Sequence, residues 1–206
     1  MTLYKVLNED MSCCHGGTGT WKLGEWKEVK GMLVMCENGL HLCNGEEQLL
    51  NWLYTVICTA EYEGERLDGD NKICVRRARV IRKLDTWNER TARLFACDCN
   101  EHILNLFEER YPDDERPRQT IEVARRYANG DATKEELDAA RNVARATARG
   151  AAAVAEDVAW SAAATVAEGA GWAAVTAAAT ARTAAAAAEV TERKWQAKRL
   201  RWYLEG

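Results

Sequence analysis

From Lys134 to about Glu189 the chain is so rich in alanine that helix is the structure open to it. Alanine has the highest helix propensity of any residue and loses no side-chain freedom on folding. It also buries little area, so alanine helices hold together by close backbone approach and by occasional large side chains. Trp160, Trp172, Trp195 and Trp202 are the available anchors, and Gly150, Gly169 and Gly171 can break the run into hairpin-sized pieces. A membrane span is excluded by Arg149, Glu156, Asp157, Glu168 and Arg182, which recur through the run. Each charge at the centre of a span costs about 2.5 to 3.5 kcal/mol or more. A narrow face of small side chains is poorly covered by one chain, so a homo-oligomer is expected.

The chain changes character near residue 85. Upstream lie short apolar runs broken by glycine, with cysteines and β-branched residues; downstream lie long helix-forming stretches. The contrast predicts an α+β protein: a small mixed domain over 1–86, then an alanine-rich helical hairpin or bundle over 87–206. LYKVL (3–7), LYTVICTAEYE (53–63) and KICVRRARVI (72–81) read as strands. Asn44 is expected to cap a short helix, EEQLLNWL, with Glu47 closing a capping-box-like exchange. GTGTWKLGEWKEVKG reads as a hairpin turning at Gly24. Further on, Phe95, Cys99, Ile103 and Leu106 recur at helical spacing before Pro112. Pro117 opens a second helix that stops at Asn129-Gly130, and Thr133 with Glu136 forms a T-x-x-E capping box for a third.

With 206 residues, 47% hydrophobic and 29% charged, the chain is too apolar to stay disordered. A formal charge of -4 argues against nucleic-acid binding through a general basic surface. The start MTLYKVLNEDMSCCHGG lacks the basic and apolar regions of a signal peptide, so a cytoplasmic location is expected, with the eight cysteines reduced.

Two stretches carry chemistry. In CENGLHLCNG (36–45) an extended Leu40-His41-Leu42 turns both leucines to one face and His41 with Cys43 to the other. His41 then has three readings: a buried hydrogen-bonded ring, a pocket wall, or a zinc ligand with Cys36, Cys43 and one of Cys13, Cys14 or His15. No C-x-x-C pair supports zinc. Cys97, Cys99 and His102 sit in a helical pattern and read as core. In KICVRRARVI, Arg77 and Arg79 share the parity of Ile73, Val75 and Ile81. Either a β-bulge shifts the register, or the two guanidinium groups enter a cavity and grip an anion through their planar forks. Trp21, Trp26 and Trp87 are candidate stacking surfaces for a base. GGTG (16–19) lacks the lysine and spacing of a phosphate loop, no cofactor motif is visible, and no Ser-His-Asp set appears. Glu61 and Glu63 in EYEGE are the candidate acids for an ADP-ribosyltransferase-like or phosphodiesterase enzyme.

The pattern Tyr4-Lys5-Val6 followed by Cys36-x2-Gly39-x-His41-x-Cys43, together with the basic strand ending VIRKL, resembles an uncharacterised domain of phage and prophage proteins. The stretch RLFACDCNEHILNLFEERYPDDERPRQTIEVARRYANGDATKEELDAARNVA resembles alanine-rich helical domains of immunity-like proteins. The resemblances imply a mobile-element protein acting between phages and bacterial defences, in the host cytoplasm if phage-encoded. They bring no catalytic motif. The leading expectation is a non-catalytic binder that sequesters a phosphorylated nucleotide signal, of the cyclic ADP-ribose or cyclic dinucleotide type. Its ligand set would be Tyr4, Lys5, Trp21, Trp26, His41, Arg77, Arg79 and Trp87. The alternative is an interaction protein whose helical half blocks a toxin or defence protein, with exposed arginine and tryptophan near the C-terminus as its sign.

Overall fold

The computed structural model describes residues 1–109, 111–150 and 186–206. The first half is one antiparallel sheet: β1 (Leu3–Leu7), β2 (Lys27–Glu28), β3 (Leu40–Asn44), β4 (Val56–Asp68) and β5 (Ile73–Lys83). β1 pairs with β3 and β4, and β5 pairs with both β3 and β4, so the sheet closes on itself; β2 is attached to β5. A one-turn helix, α1 (Glu46–Leu49), follows β3. The second half is helical, with α2 (Glu89–Glu108), α3 (Arg116–Asn129), α4 (Lys134–Gly150) and α5 (Ala186–Glu205). A mixed α+β architecture is thus observed. Trp160, Trp172, Gly169 and Gly171 lie outside the described residues.

Period-two alternation feeds two cores at once. Leu7, Leu42, Val56, Ile73, Val75, Ala78 and Val80 pack with Trp21 on one side of the sheet. Tyr4, Val6, Cys43 and Ile57 meet α1, α2 and α5 on the other, where Leu49, Trp87, Phe95, Leu200 and Tyr203 join them. A third cluster, Cys97, Leu104, Ile121, Ala124 and Leu137, binds α2, α3 and α4. The expected boundary at 86/87 therefore falls inside a core built from both halves. Trp87 donates its indole N–H to the Tyr54 carbonyl at 2.8 Å, and the Thr86 hydroxyl donates to the Leu204 carbonyl at 2.8 Å.

The helix ends follow local rules. Gly130 takes a left-handed conformation (φ 84°) at the end of α3, and Thr133 and Glu136 exchange side-chain and backbone hydrogen bonds before α4. At α2, Asn88 and Thr91 form a reciprocal cap. Three expectations are corrected. Gly45, not Asn44, precedes α1, and no side chain caps it; the Asn44 N–H is instead taken by the Gln48 side chain at 2.8 Å. No hairpin forms around Gly24, because that segment lies along β5, where the Gly24 N–H reaches the Val80 carbonyl at 2.8 Å and Lys27–Glu28 extend the sheet. Leu106 is exposed, and Phe107 takes the buried position.

α5 is fixed by two buried carboxylates. Glu46 accepts from the Tyr4 hydroxyl (2.8 Å) and from Arg201 through Nε (3.1 Å) and Nη2 (2.7 Å). Asp98 on α2 accepts from Arg199 (2.5 Å), Tyr203 (2.7 Å) and Arg125 of α3 (2.9 Å). Two arginines spaced by one residue on α5 thus reach into opposite halves of the protein.

Gly39 shows why the opening of β3 needs glycine. Its φ is 155°, and a Cβ there would stand 2.0 Å from the Cys74 Sγ on the neighbouring strand. Gly39→Ala is expected to lower stability by about 1 to 3 kcal/mol, the usual cost of overpacking a fitted interior. Urea unfolding measures it, and Gly130→Ala, whose Cβ would meet nothing within 4 Å, controls for the backbone contribution alone.

Candidate functional site

The helical half presents a cleft of about 540 Å³ between α2 and α5. α2 contributes Asp98, Glu101 and His102, and α5 contributes Trp195, Lys198, Arg199 and Trp202. Positions i, i+3, i+4 and i+7 share one helix face, so both sets are contiguous stripes. The His102 ring stacks on Trp195 at 3.8 Å between centroids, with 8° between planes, and its Nδ1 lies 2.7 Å from buried Glu192. Arg199 donates to Asp98 while its guanidinium lies 4.4 Å from the Trp202 ring. Trp202 is 56% exposed, an unusual amount for so large an apolar surface. The cleft therefore has an exposed aromatic, an arginine held in place beside it, and acids and a lysine along its rim.

A second, smaller pocket of about 100 Å³ lies in the first half, among β1, β3 and the loop after β1. Tyr4, Lys5 and His41 all line it, together with Cys13, Cys14, His15, Cys43, Trp52 and Lys72. His41 accepts the Cys36 N–H at its Nε2 (3.1 Å), so the ring is neutral there and carries its proton on Nδ1. Burial, assisted by Lys72 and Lys5, holds its pKa below the usual histidine value. Among the described residues no group of three or more His, Cys, Asp or Glu side chains is arranged to hold a metal ion.

The other candidates stand elsewhere. Trp21 is buried beneath the pocket, with Lys5 and Lys27 near its ring and its N–H donated to the Cys13 sulfur. Trp87 is buried in the core between the halves; neither tryptophan offers the exposed face that stacking on a base requires. Arg77 and Arg79 flank Trp26 at 4.4 and 4.7 Å and form ion pairs with Glu63 and Glu61 across the β4–β5 ladder. The register shift opposite Gly64 lets Ile73, Val75, Ala78 and Val80 enter one core despite their mixed parity. The bulge account of KICVRRARVI thus holds, and Glu61 and Glu63 are the partners of the arginines. Asp98 and Lys72 were not legible as site residues, since nothing in their spacing marks them, and Cys13 and Cys14, weighed only as zinc ligands, instead form a wall of the pocket. The arginine and tryptophan expected to be exposed near the C-terminus were the signal that led toward the cleft, as Arg199 and Trp202 line it.

Residues 1–91 match a domain of unknown function, DUF7666, and residues 82–202 match the family described as Imm-5 like putative immunity protein. The chain belongs to this Imm-5 like family through that second match, which covers more than half of its length. No curated protein and no solved structure matches the chain. Among the described residues no helix is long and apolar enough to cross a membrane.

The His41 geometry has a spectroscopic consequence. In a proton–nitrogen NMR titration, His41 is expected to titrate below 6.5 and to show the Nδ1-protonated form at neutral pH. Because the fold favours the neutral ring, its contribution to stability is present above pH 6.5 and is lost as pH falls through the lowered folded value. A midpoint at or above 6.5 would overturn the assignment.

Proposed function

We propose that this chain is an immunity-type interaction protein that neutralises a toxin by binding it, with the α2–α5 cleft as the contact surface. The observation that carries the reading is the family match over residues 82–202, which contains every residue of that cleft. The chemistry of the cleft agrees with it. Tryptophan and arginine dominate the binding energy of protein interfaces, because each covers a large area and arginine adds directed hydrogen bonds. Trp202 and Arg199 supply that pair on a helix whose last turns are held on opposite sides by Glu46 and Asp98. A preset surface loses little conformational entropy on binding. The sequestration of a nucleotide signal draws less support, since Arg77 and Arg79 already hold glutamates and Trp21 and Trp87 are buried.

Growth arrest by each of a panel of bacterial toxin domains, with and without co-expression of the chain, tests the proposal. One toxin is expected to be neutralised and to co-elute with the chain as a stable complex. Trp202→Ala, at an exposed position that leaves the fold intact, should weaken that complex at least tenfold, about 1.4 kcal/mol or more. Neutralisation without a complex, or a Trp202→Ala complex as tight as the parent, would contradict the assignment.

A further inference from the structure

β1 and β3 pair only at Leu3–Asn44 and Tyr4–Cys43, and beyond these residues they part. Lys5 fills the gap: its ammonium donates to the His41 carbonyl at 3.1 Å and lies 5.2 Å from the Trp21 ring. Across the opening Lys72 sits over Trp52, 4.4 Å from the ring. The composition of the wall decides what the pocket can hold. It contains two lysines and two histidines and no aspartate or glutamate. The nearby thiols do not substitute for a carboxylate. Burial pushes Cys14 up and Cys43 up to about 12, so both are neutral at physiological pH. Among the described residues neither Lys5 nor Lys72 has an ion pair, although every arginine of the β4–β5 ladder from 76 to 79 has a glutamate. A half-buried ammonium facing neutral groups is a costly arrangement, and it becomes favourable when an anion enters.

We propose that this pocket is an oxyanion site, taking the phosphate or carboxylate head of a small molecule between Lys5 and Lys72, with His15 and the neutral His41 at its edge. The volume of about 100 Å³ admits such a head and leaves the rest of the molecule outside. Lys5 supplies charge and a directed hydrogen bond from the floor, and Lys72 supplies charge from the rim. Burial pulls the Lys5 ammonium below its usual range, and a bound anion would restore it. The proposal is independent of the toxin-binding reading, because none of these residues lies within 82–202.

The test is an amide NMR titration of the full chain with sodium phosphate and, separately, sodium acetate, at constant ionic strength held with chloride. Saturable shifts confined to Cys13–Gly17, His41 and Lys72, with a midpoint in the millimolar range, are expected for at least one of the two anions. Whichever anion saturates identifies the head group. Lys72→Ala should weaken that binding at least fivefold and Lys5→Met should abolish it. Lys72 is partly exposed, so its variant keeps the test valid even where Lys5→Met perturbs the fold. Linear shifts with both anions, or saturation unchanged in Lys72→Ala, would overturn the proposal.

Discussion

Two carboxylates buried on opposite sides of one helix organise this protein. Glu46, from the sheet half, and Asp98, from the helical half, each accept a tyrosine hydroxyl and an arginine of α5, and Asp98 also accepts from Arg125 of α3. Burial by itself would raise the Glu46 pKa, but the hydrogen bonds from Arg201 and Tyr4 outweigh it and hold the carboxyl below its usual value. Its contribution to stability is therefore full above pH 4.5 and is lost as pH falls through the lowered value. A buried ion pair is often a weak source of net stability but a strong source of geometry, since breaking it leaves a charge unpaired. Here the geometry is the docking of the C-terminal helix across the boundary between two families of sequence.

That docking explains how the two halves influence each other. α5 closes the hydrophobic core over Trp87 and Phe95 and, with the same turns, builds one wall of the α2–α5 cleft. The surface proposed to meet a partner is thus supported from beneath by the sheet half. Electrostatics separates the two candidate sites. Arg77 and Arg79 are paired with glutamates, whereas Lys5 and Lys72, which line the β1–β3 pocket, have no ion pair among the described residues.

Local signals carried much of the fold. LYKVL became β1 with its expected ends, and the T-x-x-E box and Asn129-Gly130 marked the start and end of helices, because each depends on neighbours within a few residues. The bulge in the β4–β5 ladder was visible only as broken alternation at Arg77 and Arg79; resolving it required the partner strand and Gly64. Trp21, Trp26 and Trp87 were indistinguishable in sequence, yet long-range packing buries two of them and places the third between arginines. The β1–β3 pocket was partly legible through Tyr4, Lys5 and His41. Lys72 joins it from far along the chain, a proximity that no spacing rule encodes.

Through Glu46 and Asp98, α5 ties the sheet half to the helical half, so the two are expected to unfold as one cooperative unit. Native-state hydrogen exchange of Glu46→Ala, read at the amides of β1 and of α3, tests it most directly. Losing the acceptor for Tyr4 and Arg201 should cost about 2 to 4 kcal/mol. Protection is expected to fall by a similar factor in both elements, although position 46 lies in α1, which packs chiefly on β3 and α5. Protection lost in β1 and unchanged in α3 would show that the halves fold independently and would contradict it.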